Sequence, residues 1–316
     1  MALGELGEVV TEIAANVERV LVGKPDVIRI SLVTLLAEGH LLVEDVPGVG
    51  KTSLAKALAR SIDCSVSRIQ FTPDLLPSDI TGVSIYNRQS SGFEFRPGPI
   101  FANVVVGDEI NRASPKTQSA LLECMEERQV TVDSDTYRLD EPFMVIATQN
   151  PIEMEGTYAL PEAQRDRFTA RVSIGYPDPQ AELAMVDEHA GHDPLADLTP
   201  VSNAATVHRL IESVRSVHMS AEVRRYAVEL SATTRQVSEI RLGASPRATL
   251  QLVRSARAQA AMSGREYVIP DDLHAVAIPV LAHRLLLTPE AHAARRSATD
   301  VIRSVLRRVP VPHGSR

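Results

Sequence analysis

Tryptophan is absent from this 316-residue sequence, and phenylalanine and tyrosine occur only six times each. A protein that grips single strands by base stacking needs more aromatic surface than that. Lysine is scarce as well. Lys24, Lys51, Lys56 and Lys116 are the only four, and arginine supplies 29 of the 33 basic side chains. Cysteine occurs twice, as Cys64 and Cys124, without metal-ligand spacing, so both are read as reduced core or near-core thiols. No apolar run approaches 18 residues, which argues against a membrane span. The opening MALGELGEVV carries acids where a secretory signal has a basic flank, so a cytoplasmic location is expected. The nine histidines show no H-E-x-x-H or similar spacing, and no Ser-His-Asp arrangement can be assembled. His40, His208, His218 and His283 are therefore read as surface or core residues.

What is present is ample apolar material, 44% of residues, in a chain long enough for two domains. The net charge of −7 is unevenly spread. Residues 1–200 hold 16 basic and 31 acidic side chains, a balance of −15, and residues 201–316 hold 17 and 9, a balance of +8. Two domains of opposite sign are expected.

Residues 1–40 read as helical, with Val9, Ile13, Val17, Val20 and Leu21 at spacings of one to four that lie on one helical face. HLLVEDV then reads as a short strand, followed by a glycine loop and the helix-like TSLAKALARSI. ANVVVGDE and PFMVIATQN read as buried strands with the helical SPKTQSALLECMEER between them. Strands alternating with helices predict a parallel sheet. After YPDPQ the strand-like runs stop and four or five helical stretches follow. The boundary is placed near Tyr176, giving domains of residues 1–176 and 177–316, because the two prolines cannot continue a ladder.

The glycine loop lies in VEDVPGVGKTSLAKALA, residues 43–59. It departs from the phosphate-loop pattern G-x-x-x-x-G-K-[ST] only at its first position, where Asp45 stands for glycine. Gly48 and Gly50 let backbone N–H groups turn toward phosphate oxygens, helped by the following helix N-terminus. Lys51 would reach the β- and γ-phosphates, and the Thr52 hydroxyl would bind Mg²⁺. Val49 and Ser53 complete the expected cradle. Asp tolerates unusual turn geometry, so the loop can survive the change at position 45.

NVVVGDEIN places Asp108 and Glu109 at a strand end. The first carboxylate can hold Mg²⁺ through water, and the second can polarise a water for attack on the γ-phosphate. FMVIATQNP ends a further strand in Asn150, whose amide could position that water. Ser245 and Pro246 read as the cap and first position of a helix. Arg247 therefore sits in a first turn, where a cation is disfavoured unless an anion offsets it.

These motifs, with the longer strings GDEINRASPKTQSALLECMEERQVTV, ATQNPIEMEGTYALPEAQRDRF and ASPRATLQLVRSARAQA, resemble the MoxR family of AAA+ ATPases. The resemblance runs from about Val22 to at least Leu281. It implies an α/β AAA+ P-loop nucleotide-binding domain with a parallel sheet, followed by an all-helical lid. It also implies a ring, usually a hexamer, with ATP and Mg²⁺ at the subunit junctions. By resemblance Lys51 and Thr52 belong to the Walker A motif, Asp108 and Glu109 to Walker B, and Asn150 is sensor 1. Arg167 is the arginine finger given to a neighbour, with Arg165 as its competitor, and Arg247 is the second sensor. Gly23 joins the nucleotide contacts, although Lys24 follows it where similar sequences often have Gln. Residues 82–98 resemble the insertion of this clade and residues 128–142 the hairpin before sensor 1.

The resemblance implies remodelling of partner protein complexes, often with a von Willebrand factor A-type partner. Two alternatives stand beside it. One is a nucleic-acid motor, which the overall acidity and the scarcity of lysine oppose while the +8 region favours it. The other is a nucleotide-sensing module with little turnover, which has no need of Glu109. A transcription activator of this class would carry GAFTGA, which is absent.

Overall fold

The structure is a computed structural model that describes residues 3–46, 48–133, 135–150, 158, 160–177, 179–180, 182–183 and 194–312. Residues 151–157 of the ATQNPIEMEGTYAL string lie outside the described residues.

Three apolar runs become neighbouring strands. Strands β1 (Leu41–Glu44), β2 (Val66–Gln70), β5 (Val104–Asp108), β8 (Met144–Gln149) and β9 (Ala170–Val172) form one sheet in the order β2-β5-β8-β1-β9. Every pairing in it is parallel. Alternate strand residues point to opposite faces, and two separate apolar clusters result. Leu41, Val43, Val104, Val106, Met144 and Ile146 join the core on one face, while Leu42, Val105, Val145 and Ala147 join that on the other. A strand buried on both faces reads as a continuous apolar run, which is why these segments lack polar alternation.

The first face is covered by α1 (Leu3–Glu18), α2 (Pro25–Leu36) and α3 (Lys51–Ser61), and α5 (Pro115–Glu127) packs on the second. The short α4 (Pro77–Thr81) leads into the hairpin β3 (Gly82–Asn87) and β4 (Gly92–Pro97). A second hairpin, β6 (Gln129–Val132) with β7 (Asp135–Arg138), precedes β8. These are the segments read as the insertion of this clade and as the hairpin before sensor 1.

Beyond the single turn α6 (Glu162–Arg165) and β9, the chain becomes helical: α7 (Ala204–Ser216), α8 (Ala221–Thr234), α9 (Pro246–Met262), α10 (Pro270–Leu281), α11 (Pro289–Ala293) and α12 (Ala298–Arg308). These are six helices among the described residues where four or five were expected. A two-stranded antiparallel ladder also joins β10 (Ile240–Leu242) to β11 (Leu286–Leu287). Strands of two and three residues are too short to leave a period in the sequence, so this region is not purely helical.

The first two helices, read from sequence with the nucleotide-binding part, also touch the helical part. Both pack on α9, and α2 also packs on α7. One apolar cluster therefore runs without a break from α1 to α12. The lid is docked by a continuous core.

Candidate active site

The carboxyl edge of the sheet gathers the phosphate loop and the acids. In a parallel sheet all strands point one way, so the segments after β5, β8 and β1 emerge side by side. Gly48 (φ +83°) and Gly50 (φ +91°) adopt the left-handed conformation that favours glycine, and Gly50 caps the N-terminus of α3. Lys51, Thr52 and Ser53 form the first turn of that helix. Together with Gly48, Val49 and Gly50 they line a cavity of about 610 Å³, whose other walls include Val22, Lys24 and Tyr176. Gly23 (φ +71°) does not line the cavity itself. It makes the turn that presents its two neighbours, Val22 and Lys24. Lys24 Nζ donates to the Tyr176 carbonyl at 2.8 Å, closing that wall.

Asp45 does more than ease a turn. It is buried, and its carboxylate accepts hydrogen bonds from Gly175 N at 2.6 Å, Ser173 Oγ at 2.9 Å and Val46 N at 2.8 Å. Burial alone would raise its pKa, but these bonds and one from Ile174 N outweigh that and hold it below the ordinary value. The residue that breaks the consensus therefore staples the root of the phosphate loop to the segment leaving β9. Lys51 Nζ donates to the Asp45 carbonyl at 2.7 Å.

Asp108 ends β5 and is buried. Its carboxylate accepts from Thr52 Oγ1 at 3.3 Å, from Thr148 Oγ1 at 3.2 Å and from Arg68 Nε at 2.6 Å. The Thr52 hydroxyl and a carboxylate thus stand together, 56 residues apart in sequence, as a pair of hard oxygen ligands suited to Mg²⁺. No group of three His, Cys, Asp or Glu among the described residues could hold a metal alone. Thr52 and Asp108 would therefore hold Mg²⁺ only together with oxygens from phosphate and water.

Glu109 follows with φ +55°, a left-handed conformation uncommon outside glycine. Its amide donates to Thr148 Oγ1 at 3.0 Å, while Oε2 accepts from Gln70 Nε2 at 2.9 Å and Arg112 Nη1 at 2.8 Å. Asn150, buried, emerges from β8 between the acids and the phosphate loop. Thr148, Arg68 and Gln70 escaped the sequence reading. Arg68 and Gln70 belong to no motif, and only the pairing of β2 with β5, with Gln70 level with Asp108, brings them here.

The arginines gather at the other edge. Arg167 precedes β9, and Leu41 of β1 pairs with Ala170, so Arg167 lies beyond the amino ends of the strands. It shares a cavity of about 230 Å³ with Glu38, Gly39 and His40 before β1, Glu126, and Arg247 and Arg254 of α9. Arg167 Nη2 lies 3.3 Å from Glu126 Oε2, and Arg247 Nη2 donates to Glu126 Oε1. Ser245 caps α9, accepting from Ala248 N at 3.1 Å, with Pro246 at its first position. The anion that offsets Arg247 in this first turn is Glu126. Arg165 does not line this cavity, and its Nε is buried without a hydrogen-bond partner. The two edges are separated by the length of the strands, about 13 Å for four residues at ~3.3 Å each.

Comparison with known proteins agrees with this architecture. Residues 40–170 match the model of the ATPase family associated with various cellular activities (AAA), and residues 232–305 match the AAA lid domain. The chain is 50% identical to the uncharacterized protein YeaC of Bacillus subtilis, over 94% of this chain and 93% of the relative. It is 42% identical to the chaperone MoxR1 of Mycobacterium tuberculosis, over 94% and 81%. A crystal structure from Cytophaga hutchinsonii, assigned as an ATPase, superposes with a TM-score of 0.92 at 39% identity, over 98% of this chain and 97% of that one. With the phosphate loop, the paired acids and the lid in place, the chain belongs to the MoxR family of AAA+ ATPases.

Proposed function

We propose that this chain binds Mg·ATP in the 610 Å³ cavity and hydrolyses it only where two copies meet in a ring, using the cycle to remodel or activate partner protein complexes. The observation that carries this reading is the separation of Arg167 and Arg247 from the phosphate loop of their own chain. Two guanidinium groups at the amino edge cannot serve a nucleotide at the carboxyl edge. They can serve the nucleotide of a neighbouring copy.

In this reading the turn of Gly48 to Gly50, the N-terminus of α3 and Lys51 hold the phosphates. Mg²⁺ held by Thr52 and Asp108 supplies charge neutralisation at the phosphate oxygens. Glu109 accepts the proton of the attacking water, and Asn150 orients that water. To act as base, the Glu109 carboxylate exchanges Gln70 or Arg112 for the water. Arg167 and Arg247 of the adjoining copy stabilise charge on the departing phosphoryl group. We place the domain boundary at residues 176/177, after the wall formed by Tyr176.

A protein client fits the exposed surface better than nucleic acid does. On the β3–β4 hairpin Tyr86 is 52% and Phe93 75% exposed, and their rings meet edge to face at 5.5 Å on one face, while the exposed Val83 and Ile85 lie on the opposite face. An apolar patch of this kind marks a protein contact, whereas a nucleic-acid groove would be basic.

Mixed rings test the proposal. Arg167→Ala and Glu109→Gln should each be inactive, and mixing them should restore part of the activity, because some junctions regain both groups. Mixed rings that form yet stay inactive would refute action across the junction.

A further inference from the structure

Arg284 is 4% exposed, in the helical turn after α10, and it reaches back to the loop that carries Arg167. Its Nη2 donates to the carbonyl of Asp166 at 3.2 Å and to that of Phe168, the residues on either side of Arg167. It also donates to Gln251 Oε1, one helical turn beyond Arg247 on α9. Its Nε lies 3.3 Å from Asp166 Oδ1. Both Asp166 carboxylate oxygens accept from Ser245 Oγ, at 3.0 and 2.9 Å, and Ser245 is the cap from which α9 and Arg247 start. His283 Nε2 lies 3.1 Å from the Phe168 carbonyl as well. One cluster, with Arg284 and His283 buried and Asp166 and Ser245 half-buried, thus holds the backbone on both sides of Arg167 and the first turn that carries Arg247.

Stability alone does not account for such a cluster. A buried ion pair loses much of its Coulomb attraction to desolvation, and apolar residues of equal volume often serve as well. Arg284 also keeps a buried Nη1 without a hydrogen-bond partner, a cost that an apolar side chain avoids. What the cluster supplies that apolar packing cannot is a directional link between two segments that each deliver one arginine to the same carboxylate, Glu126. We propose that Asp166 and Arg284 are positioning residues that yoke Arg167 and Arg247 into one unit, presented together to the nucleotide of the neighbouring copy. The inference rests on action across the junction, as proposed above. Burial pushes the Arg284 pKa down to about 10, opposed by Asp166 and reinforced by Arg247, so the guanidinium stays charged at neutral pH.

The test is Asp166→Asn in the full chain, which keeps the side-chain shape and removes the charge. A displacement of about 1 Å costs an active site roughly 100-fold, so hydrolysis should fall by 10- to 100-fold. Binding of a fluorescent ATP analogue should be unchanged, since the variant's own nucleotide cavity lies at the other edge of the sheet. Mixing distinguishes positioning from general loosening. Asp166→Asn should be rescued by Glu109→Gln, whose arginines are intact, and should not be rescued by Arg167→Ala. Should Asp166→Asn fail to fold, the double variant Asp166→Leu with Arg284→Met, which removes both charges together, carries the same mixing test. Parental hydrolysis by Asp166→Asn, or rescue by Arg167→Ala, overturns the inference. Failure of the control pair, Arg167→Ala with Glu109→Gln, overturns the junction reading itself and is recognisable as such.

Discussion

Replacing Asp45 by glycine restores the strict phosphate-loop pattern, and it should nevertheless damage the protein. The carboxylate is the acceptor for the amide of Gly175, the hydroxyl of Ser173 and the amide of Val46. Hydrogen bonds to a charged group contribute about 1.5–3 kcal/mol each, and a buried N–H left without an acceptor costs about 1–3 kcal/mol. The relieved desolvation of the carboxylate returns part of this, so we expect Asp45→Gly to lose about 2–4 kcal/mol. Asp45→Asn, with one amide oxygen still able to accept, should lose about half as much. Urea unfolding without nucleotide measures both. The bonds hold the Asp45 pKa below its ordinary value of 3.8, so its stabilising effect is fully present above that pH and is lost as pH falls through the folded value. The gap between parent and variant should therefore be constant from pH 5 to pH 8, values well above ~3.8, and should narrow below pH 4. A glycine variant as stable as the parent would show that Asp45 is only a turn residue and that the staple to Ser173–Gly175 has no energetic weight.

Glu109→Gln should retain ATP binding and lose about 10²–10⁴-fold in hydrolysis, and Asp108→Asn should shift the magnesium dependence; parental turnover by Glu109→Gln would remove it from the mechanism. His40 is buried, with Nδ1 accepting from Val145 N and Nε2 donating to the Met125 carbonyl, and burial pushes its pKa from 6.5 to about 4. The unfolded chain then binds the extra proton first, so stability should fall by about 3 kcal/mol as pH drops from 6.5 to 4, with His283, also held well down by burial, adding to the slope. A melting series against pH checks this, and His40→Gln should flatten it; an unchanged slope would place the titration elsewhere. The −15 and +8 portions of the chain should make ATP-dependent assembly weaken as salt rises and the screening length falls from about 10 Å at 0.1 M to 3 Å at 1 M. Equal or stronger assembly at high salt, by analytical ultracentrifugation, would assign the junction to apolar contacts.

By itself the sequence determined the features that are local. A phosphate cradle needs two positive-φ glycines, a lysine and a helix N-terminus in succession, so Gly48 to Thr52 announce themselves within a few residues. The acids at the end of β5 and the amide after β8 were equally legible, because buried parallel strands leave apolar runs and the chemistry follows at their carboxyl ends. The cap at Ser245 was readable for the same reason. The place of Arg167 and Arg247 was not. Their meeting at Glu126, 121 residues from Arg247 in sequence, depends on the strand order and on how α9 docks against α1 and α2. The partners of Glu109 also come from pairing, since Gln70 arrives only because β2 lies against β5. Asp45 shows the limit most clearly. Read along the chain it is a fault in a turn, and read across the sheet it is the acceptor for three residues of the strand exit beside it. Hydrogen bonds between segments 130 residues apart follow from the packing of the sheet, and no local pattern encodes them.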